Sequence, residues 1–235
     1  WWHTKDKNRV EPLTIRDEYS RFIIDIRALA TTQQRYVKDC FREAFERYGL
    51  PRYIRSDNGT PFVSPHGLCG LTKLSVWWIK LGIHPNRIPP ASPQKNGGHE
   101  RMHRDIKAEL QKYAAKDMSH QQKAFDIWKE EFNTVRPHEA LRQKTPAEVY
   151  KRSLRRYDPK EPPFQYPYSW EVRKINKNAE TSWKNRKLYL SKALIDEYVG
   201  IEELDERHLR FWFGDYPLCI VDSLKWNGQN RIYCS

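Results

Sequence analysis

Asp57 and Glu100 are the carboxylates whose setting points to chemistry. Asp57 starts the turn Asp57-Asn58-Gly59 directly after the extended run Arg52–Arg55. Glu100 opens a helix after Pro93-Gln94-Lys95-Asn96-Gly97-Gly98. Carboxylates at element ends can hold a hard divalent cation and leave coordination positions open for phosphate and water. Each has a plainer role when taken singly: an Asp-Asn-Gly segment is ordinarily a turn, and a glutamate in a first helical turn ordinarily offsets the helix dipole. The same helix start reads His99-Glu100-Arg101-Met102-His103, a literal H-E-x-x-H. In that motif two histidines one turn apart bind Zn²⁺ and the glutamate is the base of a metalloprotease. Here it follows a Gly-Gly break, is flanked by Arg101, Arg104 and Lys107, and has no evident third ligand downstream, so the zinc-protease reading ranks last.

Four blocks in register change the weight of the pair: Leu-Thr-Ile-Arg-Asp-Glu-Tyr-Ser-Arg (13–21), Ser-Asp-Asn-Gly (56–59), the run from Pro93 to Lys107, and the run from Arg136 to Tyr150. Together they resemble the core of DDE-type insertion-sequence transposases and retroviral-type integrases, over residues 1 to about 150. The resemblance implies a ribonuclease-H-like fold whose Asp, Asp, Glu triad holds two Mg²⁺ (or Mn²⁺) ions, with Asp57 matching the second Asp and Glu100 the Glu. It also implies metal-dependent cleavage of DNA ends and strand transfer into target DNA. Phosphodiester chemistry suits such a site, because two metals about 4 Å apart activate the attacking oxygen and stabilise the leaving one. Lys107 matches the basic residue seven positions after the Glu and is assigned to phosphate near the reacting end. By the 3.6-residue period Arg104 and Lys107 lie near Glu100, while Met102, Ile106 and Tyr113 lie opposite, toward the core. Asn96 and Arg101 complete the expected DNA contacts of this region. Asp57 and Glu100 are separated by 42 residues, longer than is usual in the superfamily, with a lengthened helical region near 66–80. The first aspartate of the triad belongs on a strand that would end before Trp1, and Asp6, Asp17 and Asp25 do not occupy its position. The expectation is an N-terminally truncated chain that does not complete the two-metal site. A non-catalytic DNA-binding remnant of a transposase is the alternative.

The elements that must position these residues are legible from periodicity. Pro12–Ile15 and Arg21–Ile26 read as a hairpin. Residues 32–48 read as an amphipathic helix with Tyr36, Val37, Cys40, Phe41, Ala44 and Phe45 on one face, stopped by Gly49 and Pro51. Helices are expected at 71–81, at 99–115, and at 119–133 with Phe125, Trp128 and Phe132 inward, and a short extended piece starts at Ile83. Strands alternating with helices indicate α/β: a mixed sheet with helices, followed by helices and a small C-terminal β-barrel of SH3 type. The boundaries read as a catalytic core over 1–115, a helical extension over 116–154, a proline-rich linker over 155–168 and the β domain over 169–235. In the last, Trp170–Ile175, Lys187–Leu190, Tyr198–Ile201 and Leu209–Phe213 read as strands. Trp183, Tyr189, Trp212 and Phe213 are expected in its core, and Lys184, Arg186 and Lys187 as its DNA contacts.

Composition sets the outer limits. The 235 residues carry a net charge of +12, which calls for a polyanionic partner. Lys and Arg exceed Asp and Glu by 31 to 20 over residues 1–169 but only by 11 to 10 over 170–235, so the polyanion contact belongs mainly to the first region. A mean hydropathy of −0.90 and the lack of any apolar run of about 20 residues argue against a membrane span. Four scattered cysteines without a C-x-x-C pair suit a reducing compartment. The expected partners are double-stranded DNA, both transposon ends and target, and further copies of the chain. The expected setting is the bacterial cytoplasm at the nucleoid.

Overall fold

A computed structural model describes residues 1–64, 70–87, 97–111 and 114–224. Their contacts group into two compact units, one of residues 1–50 and 88–157 and the other of 51–87 and 158–235.

In the first unit the alternating run Arg9–Arg16 (β2) pairs antiparallel on one side with Trp2–His3 (β1) and on the other with Ile23–Leu29 (β3). The pairing of β2 with β3 shifts at a bulge between Ile15 and Arg16. Helix α1, Gln34–Tyr48, follows and buries Val37, Cys40, Phe41, Ala44 and Phe45. Tyr36, expected on that face, is 39% exposed, with the guanidinium of Arg35 over its ring 4.5 Å from the centroid. It sits at the edge of the stripe, where the first turn leaves the core. Gly49 ends α1 for two reasons. Its φ of 81° is one that side chains resist, and a Cβ there would lie 2.7 Å from the carbonyl oxygen of Ser153.

Helices α3, Gly97–Leu110, and α4, Met118–Thr134, complete this core. Met102 and Ile106 of α3 and Phe125, Trp128 and Phe132 of α4 cluster with Trp2, Val10, Ile23 and Ile26 of the sheet. Helix α3 starts at Gly97 and stops at Leu110, earlier at both ends than its periodicity suggests, and Tyr113 lies outside the described residues. β3 is the edge of its sheet, and α4 supplies the missing partners. The Asn133 amide accepts from the Ile23 N–H (2.8 Å) and donates to the Ile23 carbonyl (3.0 Å), while Gln122 does the same for Ala28 N–H (2.9 Å) and Ile26 carbonyl (2.8 Å). Two side-chain amides thus behave as an added strand, satisfying backbone groups that would otherwise be buried unpaired. After a 3-10 turn at Glu139–Leu141, the short helix α5, Pro146–Val149, is started by a Thr145/Glu148 capping box.

The second unit opens with Tyr53–Ser56 (β4), parallel to His84–Arg87 (β5), joined through α2, Lys73–Lys80. Thr72 and Ser75 form a capping box at the start of α2, and Leu71, Val76 and Ile79 pack with the C-terminal strands. Those strands are Glu171–Lys174 (β6), Glu180–Trp183 (β7), Arg186–Tyr189 (β8), Tyr198–Glu203 (β9), His208–Phe213 (β10) and Tyr216–Asp222 (β11). They form a four-stranded antiparallel sheet in the order β11-β10-β9-β6 and a separate β7–β8 hairpin. The expected closed barrel is therefore not seen among the described residues. The outer strands β11 and β6 do not pair, and the open core is filled by α2, Leu194 and the hairpin rather than by closure. Tyr189, expected inside, is 45% exposed, and Trp212 points to the outer face, where it stacks on Trp170. The period-2 rule assigns alternate residues to one face but does not say which face, and in β8 and β10 Leu188, Leu209, Phe211 and Phe213 take the core side.

Residues 158–168 have neither helix nor strand but are fastened to this unit. Glu161 bonds Lys80 at 2.9 Å, Phe164 packs on Phe213, and the Tyr166 hydroxyl donates to the Tyr198 carbonyl and accepts from the Gly214 N–H.

Candidate metal and nucleic-acid site

Asp57 follows the last residue of β4 and lies exposed. Its Oδ1 accepts from the Gly59 N–H at 3.0 Å, an Asx turn that fixes the carboxylate while Oδ2 makes no hydrogen bond to a described residue. Glu100 lies in the first turn of α3, exposed, where the helix dipole favours its charge. Arg101, Arg104 and Lys107 are exposed along the same helix, and Met102 and Ile106 are buried beneath it, as the helical period predicts. The two carboxylates thus stand in different contact units, each at an element end and open to solvent. Both are hard oxygen donors with free valence, the donor chemistry that Mg²⁺ or Mn²⁺ takes. Among the described residues no three His, Cys, Asp or Glu side chains converge to hold a metal.

The other aspartates weighed for that chemistry are occupied. Asp6 accepts from Thr4 and Asn8, and Asp17 from the Ser20 N–H and hydroxyl at 2.7 and 2.6 Å. Asp25 is buried, bonded to Arg27 at 2.7 Å with Lys129 at 3.9 Å, and burial raises its pKa despite both cations. In the H-E-x-x-H motif His103 turns Nε2 to the Thr14 hydroxyl of β2 at 2.9 Å, and the side chain of His99 lies outside the described residues. Asn96, Cys69 and Cys234 also lie outside them. Cys40 and Cys219 are buried, with burial pushing the Cys40 thiol up to about 11, out of the reactive range.

Of the C-terminal basic residues, Lys184 and Asn185 form the two-residue turn of the β7–β8 hairpin, both at positive φ, as a type I′ turn requires. The Lys184 ammonium lies 4.2 Å from the Trp183 ring centroid and 3.8 Å from Glu203. Arg186 donates to the Ser223 carbonyl, and Lys187 is exposed.

Sequence reasoning missed the residues that hold α3. Glu109, near its C-terminal end, receives two guanidinium bonds from Arg136 at 2.6 Å and one from the Trp128 indole at 2.8 Å. Arg136 opens the block ending at Tyr150, so its place in a shared motif was the available signal. At the other end Thr14 and Arg16 of β2 reach the helix, and their place in the 13–21 block was likewise the available signal.

The described residues mix strands and helices, with a solvent-facing carboxylate after a strand and another at a helix start. Two family models described as "Integrase core domain" match, over residues 1–93 and 81–146. The matches run together over more than half of the chain, which belongs to the transposase and integrase superfamily. An uncharacterized 31.7 kDa protein of insertion element IS407 from Burkholderia multivorans is 26% identical over 141 residues, 60% of this chain and 48% of its own length. The Gag-Pol polyprotein of baboon endogenous virus is 35% identical over 100 residues, 43% of this chain and 5% of the polyprotein. The chain thus spans less than half the length of these relatives. The crystal structure of the catalytic core domain of BIV integrase matches with a TM-score of 0.48 at 24% identity, over 63% of this chain and 88% of that one. Among the described residues no helix is long and apolar enough to cross a membrane.

Proposed function

We propose that the chain is the metal-dependent catalytic part of a DNA transposase, cutting transposon ends and joining them to target DNA, with Asp57 and Glu100 as two of its carboxylate ligands. The carrying observation is the setting of the two residues inside the integrase-core matches: each is solvent-facing at an element end, and neither is consumed by an ion pair among the described residues. Divalent Mg²⁺ or Mn²⁺ would supply Lewis-acid activation of the attacking and leaving oxygens. The chain's own residues do the rest. The Asx turn at Gly59 presents Asp57, the packing of Met102 and Ile106 orients Glu100, and Arg101, Arg104 and Lys107 lie along the exposed side of α3 for phosphate. Asn96 and the hairpin residues Lys184, Arg186 and Lys187 extend the proposed DNA contacts. Asp6, Asp17 and Asp25 are committed elsewhere, so strand transfer requires a further carboxylate that these three do not provide. Double-stranded DNA is the substrate, and the working form is an oligomer.

Titration with Mn²⁺, read by paramagnetic broadening of amide signals in the 235-residue chain, tests the ligand assignment. Broadening is expected around Asp57 and in the first turn of α3, lost in Asp57→Asn together with Glu100→Gln. Its absence in the wild type overturns the assignment, and stoichiometric tight Zn²⁺ in the purified protein would point to the H-E-x-x-H reading instead. Mg²⁺-dependent strand transfer by this chain, abolished by Asp57→Asn, would overturn the need for a further carboxylate.

A further inference from the structure

The buried stripe of α3 runs along every fourth residue, Ile106 and Met102 both packing in the core, and its next member toward the helix start is Gly98. A glycine leaves a gap where an apolar side chain would have sat. The gap is filled from β2: a Cβ placed on Gly98 would lie 2.8 and 3.0 Å from the two terminal nitrogens of Arg16. Arg16 belongs to the bulge at which β2 and β3 shift register, and its side chain is only 6% exposed. Its hydrogen-bonded partner among the described residues is Glu18 at 3.3 Å, a carboxylate that is itself 70% exposed. A guanidinium held out of water with so slight a partner is costly, and burial weakens its hold on its proton. It occupies the space that a side chain at Gly98 would take. Two residues before it on β2, on the same face of the strand, Thr14 bonds His103 one turn further along α3. Glu100, between Gly98 and Met102 in sequence, projects from the other side of the helix and is exposed.

We propose that Arg16 is a positioning residue for Glu100: its guanidinium under Gly98, with the Thr14–His103 bond, seats the first two turns of α3 on β2 and so sets where the carboxylate is presented. Its functional consequence rests on the reading of Glu100 as a metal ligand. The seat itself is tested separately.

Amide hydrogen exchange in the full chain reads the seat. In Arg16→Met the amides of residues 101–104 exchange about tenfold faster or more, while those of α4 keep their protection. Arg16→Lys, which retains a cation on the strand, recovers part of the loss. Gly98→Ala displaces the guanidinium and also speeds exchange there, although alanine is by itself the better helix former. This variant decides the matter if Arg16→Met does not fold. Unchanged exchange at 101–104 in Arg16→Met, or slower exchange in Gly98→Ala, overturns the proposal. Mn²⁺ is the probe for the functional arm: Arg16→Met is expected to bind it several-fold more weakly, as read by broadening at α3. If the wild type shows no Mn²⁺ broadening at α3 but exchange responds to Arg16, the seat stands and the metal reading of Glu100 falls.

Discussion

Glu109 and Arg136 are partly solvent-exposed, yet their geometry is that of a strong pair, with a guanidinium fork closing on a carboxylate that also accepts from the Trp128 indole. The Arg136 bonds hold the Glu109 carboxyl below the usual glutamate range. A carboxylate whose folded pKa is depressed stabilises the protein above its unfolded value, and that contribution is lost as pH falls through the folded one. Urea denaturation at stepped pH should show wild-type stability falling more steeply on acidification below the ordinary glutamate value than that of Glu109→Gln, whose acid limb is flatter. Equal slopes would show that the pair does not tie α3 to the segment after α4. Neither partner carries a sequence signature of this pairing, since they lie 27 positions apart and meet only because α3 and α4 pack side by side.

At the scale of elements, β3 is the clearest case of a strand completed by a helix. Asn133→Ala removes both partners of the Ile23 backbone and should cost about 1–3 kcal/mol in chemical denaturation, because a buried N–H and a buried carbonyl are left unpaired. Gly49→Ala should be destabilising by about 1–3 kcal/mol, since a left-handed φ and the approach of the Ser153 carbonyl both oppose a side chain. A neutral effect would mean that the segment after Arg152 gives way at low cost. Much of the element level was legible in advance. The helical periods of α1 and α4 place Val37, Phe41, Phe125 and Trp128 where they are found, because an apolar stripe has one way to be buried. The strands β7 and β11 were not, although each pairs with its neighbour across a two-residue turn: Glu180–Trp183 is four residues with a single apolar member, and Tyr216–Asp222 carries Pro217, which weakens the strand signal.

For the whole molecule, the excess of charge over residues 1–169 and the exposed row Arg101, Arg104 and Lys107 predict DNA binding that weakens steeply with salt. Lys107→Ala should lower affinity evenly across duplex sequences and reduce the slope of log affinity against log salt by about 1, as one phosphate contact is removed. Fluorescence anisotropy with duplex oligonucleotides at stepped salt measures both, and an unchanged slope would remove Lys107 from the interface. The residue order by itself determined the family, the α/β character, the helices and the carboxylates worth testing, since those depend on local period and on motifs that survive in sequence. Only the tertiary structure decided that the C-terminal strands form an open sheet with a separate hairpin, that two amides of α4 complete the edge of β3, and that a buried arginine from β2 seats the Glu100 helix. These outcomes hang on contacts between residues far apart in the chain, and no local spacing encodes which surfaces will meet.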